Sequence, residues 1–173
     1  HLTAGAPQPP APRPAPRAAP PPDQALRTLD AFVDDARRYV AARAAGTLGE
    51  ERDPRFEAMA PVLDGSAPVL LRANREADIR AAVAWGARQK VRIVLVGGLE
   101  ADRCAALLAS ARVPVVLPST LALPRAGDLP YDDRMTLPGR LARAGVQVAL
   151  STDGEPHNVR RIAHAAATAA AFG

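Results

Sequence analysis

One acidic residue near the end of the chain lies where an α/β protein would carry out chemistry. Asp153 belongs to Ser151-Thr152-Asp153-Gly154, which follows the apolar run 146–150 directly. An apolar run that breaks into polar residues is typical of a buried parallel strand, and the loops after such strands carry functional side chains. The same four residues are also ordinary turn and capping sequence, in which the carboxylate only accepts backbone N–H bonds.

A second candidate is the glycine pair Gly97-Gly98, which lies between an apolar run and a predicted helix. Free N–H groups and the helix dipole favour an anion at such a turn. No G-x-G-x-x-G or P-loop motif is present, and Glu100 introduces a negative charge into the same turn. A sharp change of chain direction is therefore the favoured interpretation, with an anion site as the alternative.

The histidines are too widely spaced to form a metal site together. His157 and His164 are seven residues apart, which on a helix separates them by two turns, too far for neighbouring ligands of one ion. His157 and Asn158 are expected in the loop after the last strand, beside Asp153, as substrate contacts, with a capping or surface role as the alternative for His157. His164 is expected to be structural.

Four apolar segments, each followed by a helical pattern, must position these residues. Strands are predicted at 68–72, 92–96, 113–117 and 146–150. Helices are predicted after Asn74, as the capping residue, and at 100–110, 136–144 and 159–171. This order predicts an α/β fold with a parallel sheet covered on both faces. Right-handed crossovers leave two outcomes, an open doubly wound sheet or a section of an eight-stranded barrel.

The chain before these units divides into two parts. Residues 1–22 hold half of the 18 prolines, which predicts a disordered linker or insertion because proline cannot donate a backbone hydrogen bond. The domain is predicted to occupy residues 23–173. It begins with an amphipathic helix to about residue 45 and a second helix at 53–63, for which Asp53-Pro54 supplies an N-cap and a first-turn proline.

Composition argues against several classes of function. The net charge is +4, but the 22 basic residues, of which only Lys90 is lysine, are scattered among acids, so no nucleic-acid partner is expected. No membrane span is expected, since no run of 18 apolar residues occurs. The single cysteine, Cys104, is predicted to be a small buried hydrophobic residue. A cytoplasmic location fits the sequence, as does a periplasmic or secreted one if a signal peptide precedes His1.

Ten short motifs occur once each along the chain, in a specific order. They are Asp35-Ala36-Arg37-Arg38-Tyr39, Asp53-Pro54-Arg55, Pro68-Val69-Leu70, Ala77-Asp78-Ile79-Arg80-Ala81-Ala82, Val96-Gly97-Gly98-Leu99-Glu100-Ala101, Val113-Pro114-Val115, Leu137-Pro138-Gly139-Arg140-Leu141, Ala144-Gly145-Val146, Ser151-Thr152-Asp153 and Asn158-Val159-Arg160. Through them, residues 32–173 resemble the second half of a barrel of the amidohydrolase superfamily, in the branch similar to imidazolonepropionases.

The resemblance implies a partial (β/α)8 TIM-type barrel in which the four βα units are strands five to eight. It also implies hydrolysis of a non-peptide carbon–nitrogen bond in a small, cyclic amide-like substrate. One or two divalent metals, zinc or another, are implied for the full-length parent. Asp153 matches the final metal ligand, which also acts as general base toward metal-bound water.

Two positions depart from the family pattern. Arg72 stands where the fifth-strand histidine ligand is expected, and Gly97 stands where the sixth-strand histidine is expected. Neither can ligate zinc, because arginine stays protonated and glycine has no side chain. Arg72 is instead expected to form a salt bridge that replaces the metal or to bind an anionic substrate.

Three alternatives follow for function. In the first, the parent is a hydrolase and this chain carries half of its barrel. In the second, the parent is a metal-free binding subunit of the same fold, beside a complete paralogue. In the third, the chain is a small anion-binding domain that uses Gly97-Gly98.

Alone, the chain is expected to be inactive and to hold no metal. It is also expected to self-associate as a homo-oligomer, because an unclosed barrel exposes edge strands and apolar faces.

Overall fold

The computed structural model describes residues 22–49, 52–124, 127–152 and 156–173, with the backbone alone for residues 22, 23 and 156–158. The proline-rich prediction for residues 1–22 and the position of Asp153 therefore lie outside the described residues, apart from the backbone of Pro22.

Seven α-helices and four β-strands, with two 3₁₀ helices, make up the described chain. In order they are α1 Pro22–Ala44, α2 Pro54–Glu57, α3 Ala60–Leu63, β1 Val69–Ala73, α4 Glu76–Gln89, β2 Ile93–Gly97, a 3₁₀ helix Ala101–Cys104, α5 Ala105–Ser110, β3 Val115–Leu117, α6 Asp133–Arg143, β4 Val148–Leu150, a 3₁₀ helix Pro156–Arg161 and α7 Ile162–Phe172. None of these helices is long and apolar enough to cross a membrane.

The four strands form one parallel sheet in the order β1-β2-β3-β4. Each strand pairs with the next one along the chain, so right-handed crossovers carry all the connecting helices to the same face. A doubly wound sheet instead reverses its strand order and places helices on both faces. The strand order confirms the prediction of a barrel section, whereas the prediction of helices on both faces is wrong.

The two faces of the sheet differ sharply in burial. On the helix-covered face, Ile93, Leu95, Val115 and Leu117 are at most 7% exposed. On the other face, Leu70 is 66% exposed and the register places it beside half-buried valines of β2. In a closed barrel this second face would line the interior, where side chains from other strands fill the space.

Helices α4 and α6 supply most of the helical part of the core. Ile79 and Trp85 from α4 and Leu141 from α6 are fully buried. Cys104, in the 3₁₀ helix after β2, is 3% exposed, which confirms its predicted role as a small hydrophobic residue. Burial raises the pKa of its thiol, so the reactive thiolate form is disfavoured.

A polar cluster attaches α1 to the end of α4. Asp30 accepts hydrogen bonds from Trp85 Nε1 at 2.8 Å, from Gln89 Nε2 at 2.6 Å and from Arg88 Nη2 at 3.1 Å. From two α1 turns further along, Arg37 donates to the Gln89 side chain at 2.7 Å and to its carbonyl oxygen. Desolvation raises the pKa of Asp30, but the hydrogen bonds and the charge of Arg88 outweigh it, so the net pKa is lowered.

Two predicted helices that contain a proline have different boundaries in the structure. The predicted helix 53–63 is divided into α2 and α3, since Pro61 cannot donate the hydrogen bond that would continue the helix from Glu57. The Asp53 cap is confirmed: its carboxylate accepts the Arg55 N–H at 2.9 Å. Helix α6 begins at Asp133 rather than residue 136, so Pro138 lies in its interior and not in its first turn.

Asp30→Ala is predicted to destabilise the protein by about 1–3 kcal/mol, because Trp85 Nε1 and the buried Gln89 amide lose their acceptor. The control Asp35→Ala removes an exposed ion pair with Arg38 and should cost less than about 0.5 kcal/mol. Urea unfolding at pH 7 measures both.

Because the folded pKa of Asp30 is depressed, the stabilisation by its carboxylate is present above its unfolded pKa and is lost as the pH falls through the folded value. Equal costs for the two variants at pH 7 would contradict the role given to Asp30.

The purified chain is predicted to self-associate through the open sheet face. Leu70→Glu, on that face, should lower the apparent mass measured by light scattering, because a charge there resists burial. The control Leu123→Glu replaces an 85% exposed leucine in the loop after β3 and should leave the mass unchanged. A monomer at all concentrations in the unsubstituted chain would show this prediction to be wrong.

Candidate functional site

The carboxyl edge of the sheet is the candidate site, because all four parallel strands end there. Ser151 N donates to Leu117 O at 2.8 Å and so continues the β3–β4 ladder by one residue. The bond therefore extends the pairing of β4 with β3 to Ser151, two residues before Asp153 in the sequence. Asp153 itself, together with the side chains of His157 and Asn158, lies outside the described residues; the His157 and Asn158 backbone belongs to the 3₁₀ helix Pro156–Arg161.

Arg72 is exposed on the open face of β1, near the carboxyl end of the strand. It is in register with Val96 of β2, and its neighbour Ala73 is in register with Gly97. In a closed barrel, a side chain on this face would point toward the interior at the mouth. The role given to Arg72, in a salt bridge or as a substrate contact, stays a prediction.

Gly97 and Gly98 are required by the close approach of two loops. Both have positive φ, +105° and +65°. A Cβ at Gly97 would overlap Asn74 Oδ1 and lie 3.0 Å from Ala73 O, and one at Gly98 would lie 2.8 Å from Val115 Cγ1. No side chain fits at Gly97 without movement of the β1–α4 loop, so the sharp-turn interpretation is confirmed.

Glu100 joins these two loops in a way that the sequence did not reveal. Its Oε2 accepts the N–H of Glu76 at 2.8 Å, and its own N–H donates to Asn74 O at 2.9 Å. The carboxylate thus caps the amino end of α4, whereas the predicted cap Asn74 makes no such bond. The contact spans 24 residues of sequence, so no local motif could have identified it.

The backbone of the Gly97-Gly98 turn is already hydrogen-bonded within the protein. Gly98 N donates to Ala73 O at 2.7 Å, and Ala101 N donates to Gly98 O at 3.0 Å. The amides of Gly98, Glu100 and Ala101 are thus engaged, and the Glu100 carboxylate occupies the α4 amino end where an anion would bind. These contacts weigh against the anion-site alternative.

The long loop after β3, which borders the same edge, is anchored by buried polar contacts. Thr120, 1% exposed, donates to Ala165 O of α7 at 3.0 Å. Arg140, in the last turn of α6, has its Nη2 3.1 Å from both Asp133 Oδ1, at the start of that helix, and Asp102 Oδ2, so it links α6 to the 3₁₀ helix after β2. The sequence placed Thr120 in a loop and offered no signal for either contact, because each depends on residues distant in the chain.

A cavity of about 330 Å³ opens at this edge. Its lining carries two acids, Glu100 and Asp128, and two arginines, Arg75 and Arg103, together with Asn74 and leucines. Arg75 and Arg103 lie near acids of their own helices, 3.9 Å from Asp78 and 3.7 Å from Glu100. The acidic and basic side chains around the cavity therefore balance, and the cavity favours neither an anionic nor a cationic ligand.

Metal donors are sparse in the described part of this site. No group of three or more His, Cys, Asp or Glu side chains in the described residues is arranged to hold a metal ion. The family resemblance would place histidine ligands at Arg72 and Gly97, and the packing at Gly97 leaves no space for an imidazole. These residues do not fit a catalytic zinc, which needs about three protein ligands.

A solved amidohydrolase structure matches this chain. The crystal structure of an amidohydrolase from Thermotoga maritima MSB8 aligns with 86% of the chain at a TM-score of 0.72 and 25% sequence identity. The alignment covers 39% of that amidohydrolase, so the chain spans about two fifths of its length. No protein-family model and no curated protein sequence matches.

The structural match, with the strand order, confirms the predicted fold class, four parallel strands of a partial TIM-type barrel. At 25% identity it also supports the amidohydrolase superfamily broadly.

Gly97→Ala is predicted to destabilise the protein by roughly 2–4 kcal/mol, from backbone strain at positive φ together with the clash against the β1–α4 loop. Gly49→Ala is the matched control, because a Cβ there meets nothing within 4 Å. Its effect should stay within about 0.5 kcal/mol. Chemical denaturation measures both, and a Gly97→His variant as stable as the unsubstituted protein would refute the steric exclusion of a histidine.

Proposed function

We propose that this chain is the β5–β8 half of an amidohydrolase-type barrel, in the branch that resembles imidazolonepropionases, and that its parent hydrolyses a non-peptide carbon–nitrogen bond. The substrate class is a small cyclic amide. Asp153 is the acidic residue of the reaction, Arg72 contacts the substrate from the barrel mouth, and His157 and Asn158 contact it from the loop after β4.

The single observation that carries this proposal is the structural likeness to the Thermotoga amidohydrolase over 86% of the chain. Two features of this chain support it. The sheet has the consecutive strand order of a barrel section, and its open face carries Arg72 near the carboxyl edge. Ser151 N–H bonds to Leu117 O, so β4 stays paired with β3 up to two residues before Asp153 in the sequence.

Asp153 would serve as a proton acceptor for the attacking water, since a carboxylate within hydrogen-bond reach is a competent general base. In the family pattern the same residue is also the final ligand of a divalent metal. The donors in the described chain do not complete such a site, so a resident metal would depend on ligands from the rest of the parent.

A specific observation favours a second candidate, a metal-free binding subunit of the same fold. The packing around Gly97 excludes a histidine at the sixth-strand ligand position, and the fifth-strand position holds an arginine that stays protonated. In this alternative Arg72 binds an anionic ligand at the barrel mouth, and a complete paralogue performs the hydrolysis.

Asp153→Asn in the full-length parent is predicted to abolish ring opening of cyclic amides, because the asparagine amide cannot accept the proton. A panel of lactams and cyclic ureides, followed by loss of the ring amide absorbance, measures the activity. Asp34→Asn, an exposed acid on α1, is the control and should keep full activity.

The two candidates give different results in the same preparation. Ring opening by the parent that Asp153→Asn leaves unchanged would remove the catalytic role of Asp153. Stoichiometric zinc in the purified parent, measured by mass spectrometry of the metals, would contradict the metal-free alternative. Absence of hydrolysis across the panel, with anion binding that Arg72→Gln abolishes, would favour the binding subunit.

A further inference from the structure

A second cavity lies at the opposite edge of the sheet, where the strands begin. It has a volume of about 630 Å³ and is bordered by the segments that lead into all four strands. Its walls are largely apolar, with Val83 and Ala87 from α4 and Val113 and Pro114 from the segment before β3. The cavity is thus separate from the candidate site at the carboxyl edge.

Three cations line this cavity, and no acidic residue does. They are Lys90 and Arg92, between α4 and β2, and Arg112, between α5 and β3. All three are exposed. Arg92 donates to the carbonyl oxygen of Gly65 at 3.1 Å, which neutralises no charge.

Elsewhere in the described chain, arginines are commonly paired with acids. Helical examples are Arg37 with Asp34, Arg80 with Glu76, and Arg140 with Asp133. Among the described residues, neither Lys90 nor Arg92 nor Arg112 forms an ion pair. The cavity therefore concentrates positive charge that its surroundings do not balance.

The backbone at two of these cations is unusual for a helix end. Lys90 and Arg112 have φ of +54° and +52°, and the valine after each donates to a carbonyl five residues earlier, Val91 to Gly86 and Val113 to Leu108. Glycine normally occupies the left-handed position of this motif, because a side chain there is strained.

This chain follows that preference at other helix ends. Gly46 after α1, Gly65 after α3 and Gly145 after α6 hold the positive φ, at +68°, +80° and +83°. Of these five helix ends, only the two that border the cavity have a cationic residue in place of glycine. A cation at a helix C-terminus also interacts favourably with the helix dipole. This structural role is the alternative to a role of the two cations in binding a ligand.

We infer that this cavity is a binding site for a small organic anion, and that Lys90 and Arg112 hold the anionic group while the apolar walls hold the rest of the molecule. The chemical class is a phosphate monoester or a comparable dianion with an apolar substituent. The ligand needs both an anionic group and an apolar substituent, because the cations attract negative charge and the valine, alanine and proline walls offer an apolar surface.

Phenyl phosphate is the probe for this site in titration calorimetry of the purified protein. Inorganic phosphate tests the anionic group alone, and benzyl alcohol tests the apolar part alone. Phenyl phosphate should bind more tightly than either, and its affinity should fall with added salt. Lys90→Gln and Arg112→Gln should each weaken binding by about threefold, and the double variant by about tenfold.

Arg27→Gln is the matched control, because Arg27 is an exposed cation on α1 that does not line the cavity. It should leave the affinity unchanged. Equal weakening by Arg27→Gln would mean that only the net charge attracts the probe, and benzyl alcohol bound as tightly as phenyl phosphate would mean that the cations have no role. Either result overturns the inference.

Glycine variants separate binding from the structural explanation. Lys90→Gly and Arg112→Gly remove the strain at positive φ, so the urea midpoint should rise or stay unchanged while phenyl phosphate binding weakens. If the cations serve only the helix dipoles, the midpoint should fall and the affinity should not change. That pattern would overturn the inference whether or not the parent is a hydrolase.

Discussion

The hydrogen-bonded approach of the β1–α4 loop to the β2 turn is the constraint on which the candidate site depends. Gly98 N–H to Ala73 O and Glu100 N–H to Asn74 O bring two strand ends together, and the Glu100 carboxylate caps α4 from the neighbouring unit. Such closeness requires a residue without Cβ at Gly97. The geometry that fixes the edge of the sheet is therefore the same geometry that leaves no room for a metal-binding histidine.

The sheet as a whole has two unlike faces and two unlike edges. Helices cover one face, and the other carries Leu70 and Arg72 as a barrel interior would. At the carboxyl edge acids and arginines balance, whereas at the amino edge cations collect beside apolar walls. Parallel strands impose this polarity because all of them begin at one edge and end at the other, so each edge collects its own set of loops.

Much of the fold was predictable from local pattern. Apolar runs of four or five residues, each followed by a helical period, located the four strands and the helices after them, and Asp53-Pro54 located the start of α2 correctly. The prediction failed where a distant residue or a proline decided the outcome. Glu100 caps α4 in place of Asn74, and Pro61 interrupts a helix that the apolar pattern alone would continue.

From local period and residue identity, the sequence predicted the order of the βα units and the burial of Cys104. The tertiary structure decided between a doubly wound sheet and a barrel section, since strand order is a long-range property. It alone also showed that Asp30 joins α1 to α4, and that Lys90 and Arg112 meet at one cavity. Residues that are far apart in the chain become neighbours only when parallel strands align their ends.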